Sequence, residues 1–348
     1  MARTQQIVVA GGGAVGTTVA LALAQTGRQV AVVDPAPLGA NASGVAAGML
    51  APAFETLFDA LSKDRFALFA SARDLWSRFD VGLDASGALA LGERDEVEAW
   101  AQRLEAVGAR ARVLAPDRTT AVTGGLAPPC WSVFSEEDWR LQPMAALARL
   151  RQNAAALGAK LVSGAVVGFE AGRAALAGGG FLPADLLVIA TGAARGLAGR
   201  GPELGVLTPI KGHILRAASG FPPGPVVRAR GRYLCPGPGE AVLGATMEAG
   251  VDDAAVDPEV AAQLAAGATA LAPALAGLAW RAEAGVRGAT PDGLPMVGAS
   301  RAEGVLVAVG ARRNGWLLAP MMAAETVRAV EGRAAGEFGR LFAPARFG

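Results

Sequence analysis

Residues 7–34, IVVAGGGAVGTTVALALAQTGRQVAVVD, constrain the fold more than any other stretch of this chain. The branched apolar run 7–10 has the composition of a strand buried on both faces, and it enters Gly11, Gly12 and Gly13 with no polar residue between. An apolar helical segment and a second strand follow, ending in Asp34. In such a G-x-G-x-x-G turn, Gly11 and Gly13 let the backbone turn and approach a pyrophosphate. Gly16 lets the helix lie close to the strand, and the free N–H groups of the helix N-terminus face the anion. Asp34 stands roughly 20 residues on, where a carboxylate accepts hydrogen bonds from ribose hydroxyls. The stretch therefore predicts a nucleotide-binding βαβ unit. Three glycines inside the apolar run, with a strand and a terminal acid after it, argue against a secretory signal or a membrane span. The fingerprint alone leaves NAD and FAD both open.

The totals narrow the partners. With 32 basic and 31 acidic residues the formal charge is +1, so no field draws in nucleic acid or an anionic membrane. A mean hydropathy of +0.35 comes from Ala, Val and Leu dispersed among 47 glycines rather than from an uninterrupted span, which predicts a soluble, cytoplasmic protein. A chain of 348 residues is long enough for two lobes. Cys130 and Cys235 lie far apart with no ligand cluster around them, so neither a metal site nor a disulfide framework is expected. His213 is the one histidine and lies in a turn-like KGH segment without a nucleophile motif, which leaves the chemistry to a cofactor.

Along the chain, residues 35–52 are too rich in glycine for a strand and too apolar for a linker. Their small side chains from Asn41 to Gly48 suit either close approach to a ligand, with Ser43 or Asn41 donating to it, or tight helix packing. Leu57, Leu61, Phe66, Phe69 and Trp76 recur at helical spacing over 54–79 and are predicted core. Residues 88–93 read as a strand, 93–107 as a charged surface helix and 126–139 as a loop-rich return. Pro143 opens a long helix. The apolar strand 186–190 ends in Thr191 and Gly192, a second strand-to-glycine turn of the kind that closes over a flavin in two-dinucleotide-binding proteins. Residues 208–217 and 232–247 read as antiparallel strands with a helical stretch to 272, and the last 60 or so residues as strand, turn, strand and a closing helix.

Taken in order, GGGAVG, SGVAAGMLAP, PIKGHIL, YLCPGPG with GATM, GVRGATPDGLPMVG and RNGWLLAP resemble the D-amino-acid oxidase-like FAD oxidoreductases over nearly the whole chain, and among them the glycine oxidases of the thiamin pathway. The resemblance implies an α/β fold: a Rossmann-like, two-dinucleotide FAD-binding domain with an inserted α+β substrate domain on an antiparallel sheet. The boundaries expected are 1–84, 141–205 and 285–348 for the first and 85–140 and 206–284 for the second. It places FAD against Gly11, Gly13, Ala14, Val15, Gly16 and Asp34, against Ala42, Ser43, Ala47, Gly48 and Met49, and against Val166 (or Val167), Thr191 and Gly192. It places Ala311, Arg312, Arg313, Asn314, Gly315, Trp316 and Leu317 under the isoalloxazine ring. Arg287 is implied to grip the substrate carboxylate with help from Arg313, with Tyr233 and Met247 at the pocket; no metal is implied.

A bidentate guanidinium on the carboxylate would fix the direction of the substrate Cα–H as well as affinity. The activity implied is oxidation of glycine, a small amino acid or a secondary amine to an imine that hydrolyses to an oxo acid and ammonia, with molecular oxygen reduced to hydrogen peroxide. The imine would serve the thiazole step of thiamin synthesis. Sarcosine oxidases attach FAD through a cysteine near their Thr-Pro-Asp, whereas Gly288 and Ala289 stand here, so FAD is expected to be non-covalent. Ala311 and Arg312 depart from the usual histidine and aromatic residue, which raises an effect of the extra cation on substrate choice. Homo-oligomers are common in the family. The competing readings are a D-amino-acid dehydrogenase passing electrons to a quinone or carrier, separated by peroxide formation, and a flavin-binding protein without turnover.

Overall fold

The computed structural model describes residues 4–170, 172–237 and 239–348. Strand Gln6–Ala10 lies in the middle of a six-stranded sheet, as its run of buried apolar residues requires. It pairs in parallel with Gln29–Asp34 on one side and Leu186–Ile189 on the other. The order across the sheet is Met296–Ala299, Val305–Val309, Leu186–Ile189, Gln6–Ala10, Gln29–Asp34 and Lys160–Ser163, with only Met296–Ala299 antiparallel to its neighbour.

Side chains of a strand alternate between faces, and the two halves of this core show it. Ile7 and Val9 pack with helices Ala14–Gln25, Pro143–Ala156 and Gly315–Val330, whereas Val8 and Ala10 pack toward a small sheet of Val166–Glu170, Arg173–Leu176 and Phe181–Pro183. The C-terminal helix, although last in sequence, thus lies against the first.

A second, nine-stranded sheet is built on the long strand Thr208–Ser219, which pairs with Gly239–Gly244 and, through nine consecutive residues, with Arg281–Ala289. The sheet is antiparallel except where Val226–Ala229 meets Ala88–Gly92 in parallel, which joins strands from two separate stretches of the chain. One face, including Ile214, Val226 and Val242, packs on helices Pro52–Phe58 and Arg94–Ala106. The other, including Leu215, Val227 and Leu243, packs on Pro258–Ala266 and Ala268–Leu271.

Three local expectations change. Residues 54–79 are two α-helices, Pro52–Phe58 and Phe66–Asp74, and two 3₁₀ turns, Ala60–Ser62 and Leu75–Arg78, rather than one amphipathic helix. Asp59 breaks the first helix by accepting from the Leu61 N–H, so Leu61 is 43% exposed while Leu57, Phe66, Phe69 and Trp76 are buried. The return at 126–139 contains strand Trp131–Ser135, paired on both edges; its aromatic and serine residues hid the alternation. His213 is a fully buried strand residue, not part of a turn. Its Nε2 accepts from the Asp257 N–H at 2.9 Å, so Nδ1 carries the proton and faces Glu248 Oε1 at 3.0 Å. It ties a loop and a helix start to the sheet.

Among the described residues no helix is long and apolar enough to cross a membrane, and no cluster of histidine, cysteine or acidic residues could hold a metal. Both cysteines are free thiols.

Candidate active site

Backbone geometry explains the first turn. Gly11 has φ +108°, and a side chain there would place its Cβ 2.3 Å from the Ala190 carbonyl oxygen. A Cβ on Gly16 would lie 1.9 Å from the Gly11 carbonyl oxygen, so helix Ala14–Gln25 sits as close to the strand as it does because nothing projects there. The Gly12 N–H donates to Asp34 Oδ2, and Asp34 Oδ1 accepts from the Ala36 N–H at 2.8 Å. Arg151, a residue the sequence did not single out, reaches from helix Pro143–Ala156 to donate to the Gly12 carbonyl at 3.1 Å.

The segment at 41–49 closes over this turn. Asn41 caps the short helix Ala42–Val45 by accepting from the Ser43 and Gly44 N–H groups at 3.0 and 3.2 Å, which leaves its buried Nδ2 without a partner. Ser43 Oγ accepts from the Ala14 N–H at 2.9 Å, and the Trp316 indole N–H donates to the Ser43 carbonyl at 3.0 Å. Trp76 donates in turn to the Trp316 carbonyl at 2.8 Å. The result is a cavity of about 550 Å³ running from Asp34 and Val166 past Gly11, Gly13, Ala14, Val15 and Ser43 to Arg312 and Trp316. Thr191, Gly192, Ala42, Ala311, Arg313 and Gly315 also line it, as does Val167, which is itself 57% exposed. A glycine turn without Cβ atoms, helix N–H groups, an acid for ribose and an orphaned amide donor are a donor set suited to a dinucleotide.

A second cavity of about 800 Å³ adjoins the first and shares Ala42, Ala46, Arg287, Arg313 and Trp316 with it. Ala47, Gly48, Met49, Asn314, Tyr233 and Met247 line this one. Of the residues singled out in sequence, Gly16 and Leu317 line neither; Gly16 is in helix packing and Leu317 is turned into the core at 1% exposure.

Charge in the second cavity is unevenly satisfied. Arg313 Nε donates to Glu55 Oε2 at 2.7 Å and its Nη2 lies 3.5 Å from Asp59, while Arg312 pairs with Asp59 at 2.5 Å. The two acids project from helix Pro52–Phe58 and the residue after it, and sequence reading missed them; their four-residue spacing in an otherwise apolar stretch was the available signal. Arg312, the residue that departs from the family pattern, is therefore neutralised. Arg287 is not: its Nη1 is buried without a hydrogen-bond partner, and it forms no ion pair among the described residues. Its guanidinium lies over Gly212, where an added Cβ would come within 2.2 Å of Nη1. Burial pulls its proton affinity below the usual guanidinium range, the Tyr233 hydroxyl raises it, and Arg313 and Arg312 lower it further.

Tyr233 lies over Gly244, where a Cβ would meet its hydroxyl oxygen at 2.3 Å. Burial pushes the phenol up to about 12, with Cys235 adding and Arg287 and Arg228 opposing, so it is a neutral hydroxyl at any physiological pH. Met247 is 40% exposed at the rim, its sulfur 3.6 Å from Arg313 Nη1. Asp138, fully buried, accepts from the Ala53 and Phe54 N–H groups at the start of helix Pro52–Phe58; burial lifts it to about 7 despite the opposing charge of Arg228 and those N–H groups.

A dinucleotide cradle thus opens onto a cavity that holds an unpaired cation, the arrangement of a nucleotide-cofactor enzyme. The chain belongs to the family of FAD dependent oxidoreductases described as DAO, whose sequence pattern it matches over residues 6–329. Glycine oxidase from Pseudomonas putida is 30% identical over 347 residues, spanning 91% of this chain and 92% of that protein. Glycine oxidase from Geobacillus kaustophilus is 29% identical over 345 residues, spanning 92% and 91%. The crystal structure of the Geobacillus kaustophilus glycine oxidase superposes with a TM-score of 0.82 at 27% identity, covering 99% of each chain. FAD is thus the cofactor, and the enzyme class is that of FAD-dependent amino-acid oxidoreductases.

Proposed function

We propose that the protein oxidises glycine or another small amino acid or secondary amine to the imine, which water converts to an oxo acid and ammonia, with oxygen as electron acceptor. The observation that carries this reading is the buried, unpaired Arg287 guanidinium at the junction of the two cavities. A buried cation without a counter-ion is costly unless an anion completes it, and a carboxylate matches its fork.

In this reading Asp34 and Val166 hold the adenosine end of FAD, the turn from Gly11 to Gly16 and Ser43 hold the pyrophosphate, and residues 47–49 and 311–316 flank the ring. FAD bound there supplies the two-electron oxidant for the substrate Cα–H bond, and the absence of a cysteine at Gly288 and Ala289 leaves it non-covalent. Yellow colour remaining in an acid-heated precipitate would contradict that last point.

The residues of the chain do the orienting. Arg287 takes the carboxylate bidentately and fixes the direction of Cα–H, and the neutral Tyr233 hydroxyl donates to the same carboxylate. Arg313, held by Glu55, adds positive potential without being free to follow the substrate. No side-chain base is required if the amine enters neutral, in keeping with a lone histidine that is buried in strand structure. Supply of the imine to the thiazole step of thiamin synthesis is part of the proposal by family resemblance.

The test is the visible spectrum of the purified holoenzyme, followed anaerobically as glycine, sarcosine and D-alanine are added in turn. Bleaching of the flavin band by one of them, with peroxide on admission of air, is expected. A band that none of them bleaches overturns the reading, and bleaching without peroxide favours the quinone-linked dehydrogenase.

A further inference from the structure

Arg287 is not the only cation in the second cavity without a carboxylate. Arg228 stands directly across the strand pair from Tyr233, so the two side chains share the sheet face that also carries Arg287. It lines the same cavity. Its Nε is fully shielded and has no hydrogen-bond partner. Its guanidinium contacts the Met49 sulfur at 3.3 Å and lies 5.5 Å over the Phe54 ring, and it forms no ion pair among the described residues. The acid whose charge it feels, Asp138, is engaged instead by the Ala53 and Phe54 N–H groups.

Among the described residues the arginines less than a tenth exposed, Arg73, Arg140 and Arg216, all have ion pairs, as does Arg313. Arg73 has Glu137, Arg140 has Asp84, Arg216 has Glu240 and Glu283, and Arg313 has Glu55. Arg65, Arg151 and Arg232, the last in this same cavity, share with Arg228 a shielded nitrogen without a partner. Glycine brings a single carboxylate, which Arg287 satisfies. An uncompensated guanidinium on the same sheet face as Arg287, in the same cavity, calls for a second anion on the ligand.

We propose that the preferred substrates are small amines bearing a second carboxylate, held by Arg228 while Arg287 holds the carboxylate next to the reacting carbon. This rests on the amino-acid oxidase reading above and names its substrate class. Arg228 then sets specificity, acting on the part of the substrate remote from the bond that breaks.

The experiment compares matched pairs on the holoenzyme: N-(carboxymethyl)glycine against N-ethylglycine, and D-aspartate against D-2-aminobutyrate. A charge-assisted hydrogen bond predicts a kcat/KM about 10- to 100-fold higher for at least one diacid than for its uncharged partner. Arg228→Met should bring that ratio to about one, and Arg228→Lys should keep part of it. Diacids no better than their partners in the wild type, or a ratio unchanged by Arg228→Met, overturn the proposal.

A second arm does not depend on turnover. Malonate and acetate are titrated against the flavin spectrum of wild type and Arg228→Met, and malonate is expected to bind at least about tenfold more tightly than acetate in the wild type only. If no amine reduces the flavin while this difference holds, the oxidase reading fails and the anion site stands. Equal binding of the two acids removes the anion site whatever the enzyme oxidises.

Discussion

Arg313 and Glu55 form an ion pair at 2.7 Å across 258 residues of sequence. The pair clamps the segment after strand Val305–Val309 to helix Pro52–Phe58, and Asp59 extends it to Arg312. It therefore settles the geometry on the side of the cavity where Arg287 has no partner.

Removing the acid leaves Arg313 with only the longer ionic contact to Asp59 at 3.5 Å. Glu55→Gln is expected to lower stability by about 2 kcal/mol, less than for a fully buried pair because Arg313 is 28% exposed. Denaturant unfolding checks this; a midpoint equal to wild type would show that water, not Glu55, satisfies Arg313.

For Arg287→Ala, loss of a bidentate carboxylate clamp is expected to cost on the order of a hundredfold in kcat/KM for glycine, with FAD content retained. Rapid-mixing measurement of flavin reduction against glycine concentration reads it. A saturation constant within a factor of about three of wild type would remove Arg287 from the substrate.

Tyr233 titrates far above the working range, being pushed to about 12 by burial. Tyr233→Phe should thus lower kcat/KM by roughly two- to tenfold, the worth of one neutral hydrogen bond, without deleting a limb of the pH profile. Disappearance of an alkaline limb below pH 10 would mean that the phenol ionises during turnover.

Asp138 gives a stability signature. Its carboxyl is raised to about 7 in the fold from 3.8, so between those values the folded chain binds a proton that the unfolded chain has released. Its contribution to stability falls as pH rises from about 4 to about 7, at most on the order of 1 kcal/mol per pH unit, and is level above that. Asp138→Asn should flatten this slope and leave the variant relatively more stable at pH 8 than at pH 5. Parallel stability–pH curves for the two proteins would contradict the assignment.

A methyl group at Gly16 has nowhere to go, with the Gly11 carbonyl 1.9 Å from where it would sit. Gly16→Ala is expected to yield colourless protein after purification, and an unchanged flavin absorbance ratio would show that the helix can shift without loss of the cradle.

What the sequence disclosed follows the same logic. Gly11, Gly16 and Asp34 were legible because a backbone conformation, a close approach or a strand end dictates the residue type locally. Arg287 and Tyr233 were legible only through the motifs of a family, since nothing near them in sequence shows that one lacks a counter-ion. Glu55 and Asp59 were hidden because their partners lie 258 and 253 residues away, and Arg228 because its isolation is a property of packing. Leu61 failed as a core residue because Asp59 ends the helix that would have carried it inward. Strand Trp131–Ser135 depends on two partners that only the folded sheet supplies.

The hydrogen bonds from Ala14 to Ser43 and from Trp316 to Ser43 also bear on how the protein is made. The first joins residues 29 apart, but the second spans 273 residues, and strand Val305–Val309 pairs with Leu186–Ile189, itself far from the turn in sequence. A chain still on the ribosome holds the phosphate-binding turn long before it owns the wall that closes it. A chain cut before residue 316 keeps the phosphate-binding turn but lacks that wall, and is therefore expected to retain no flavin.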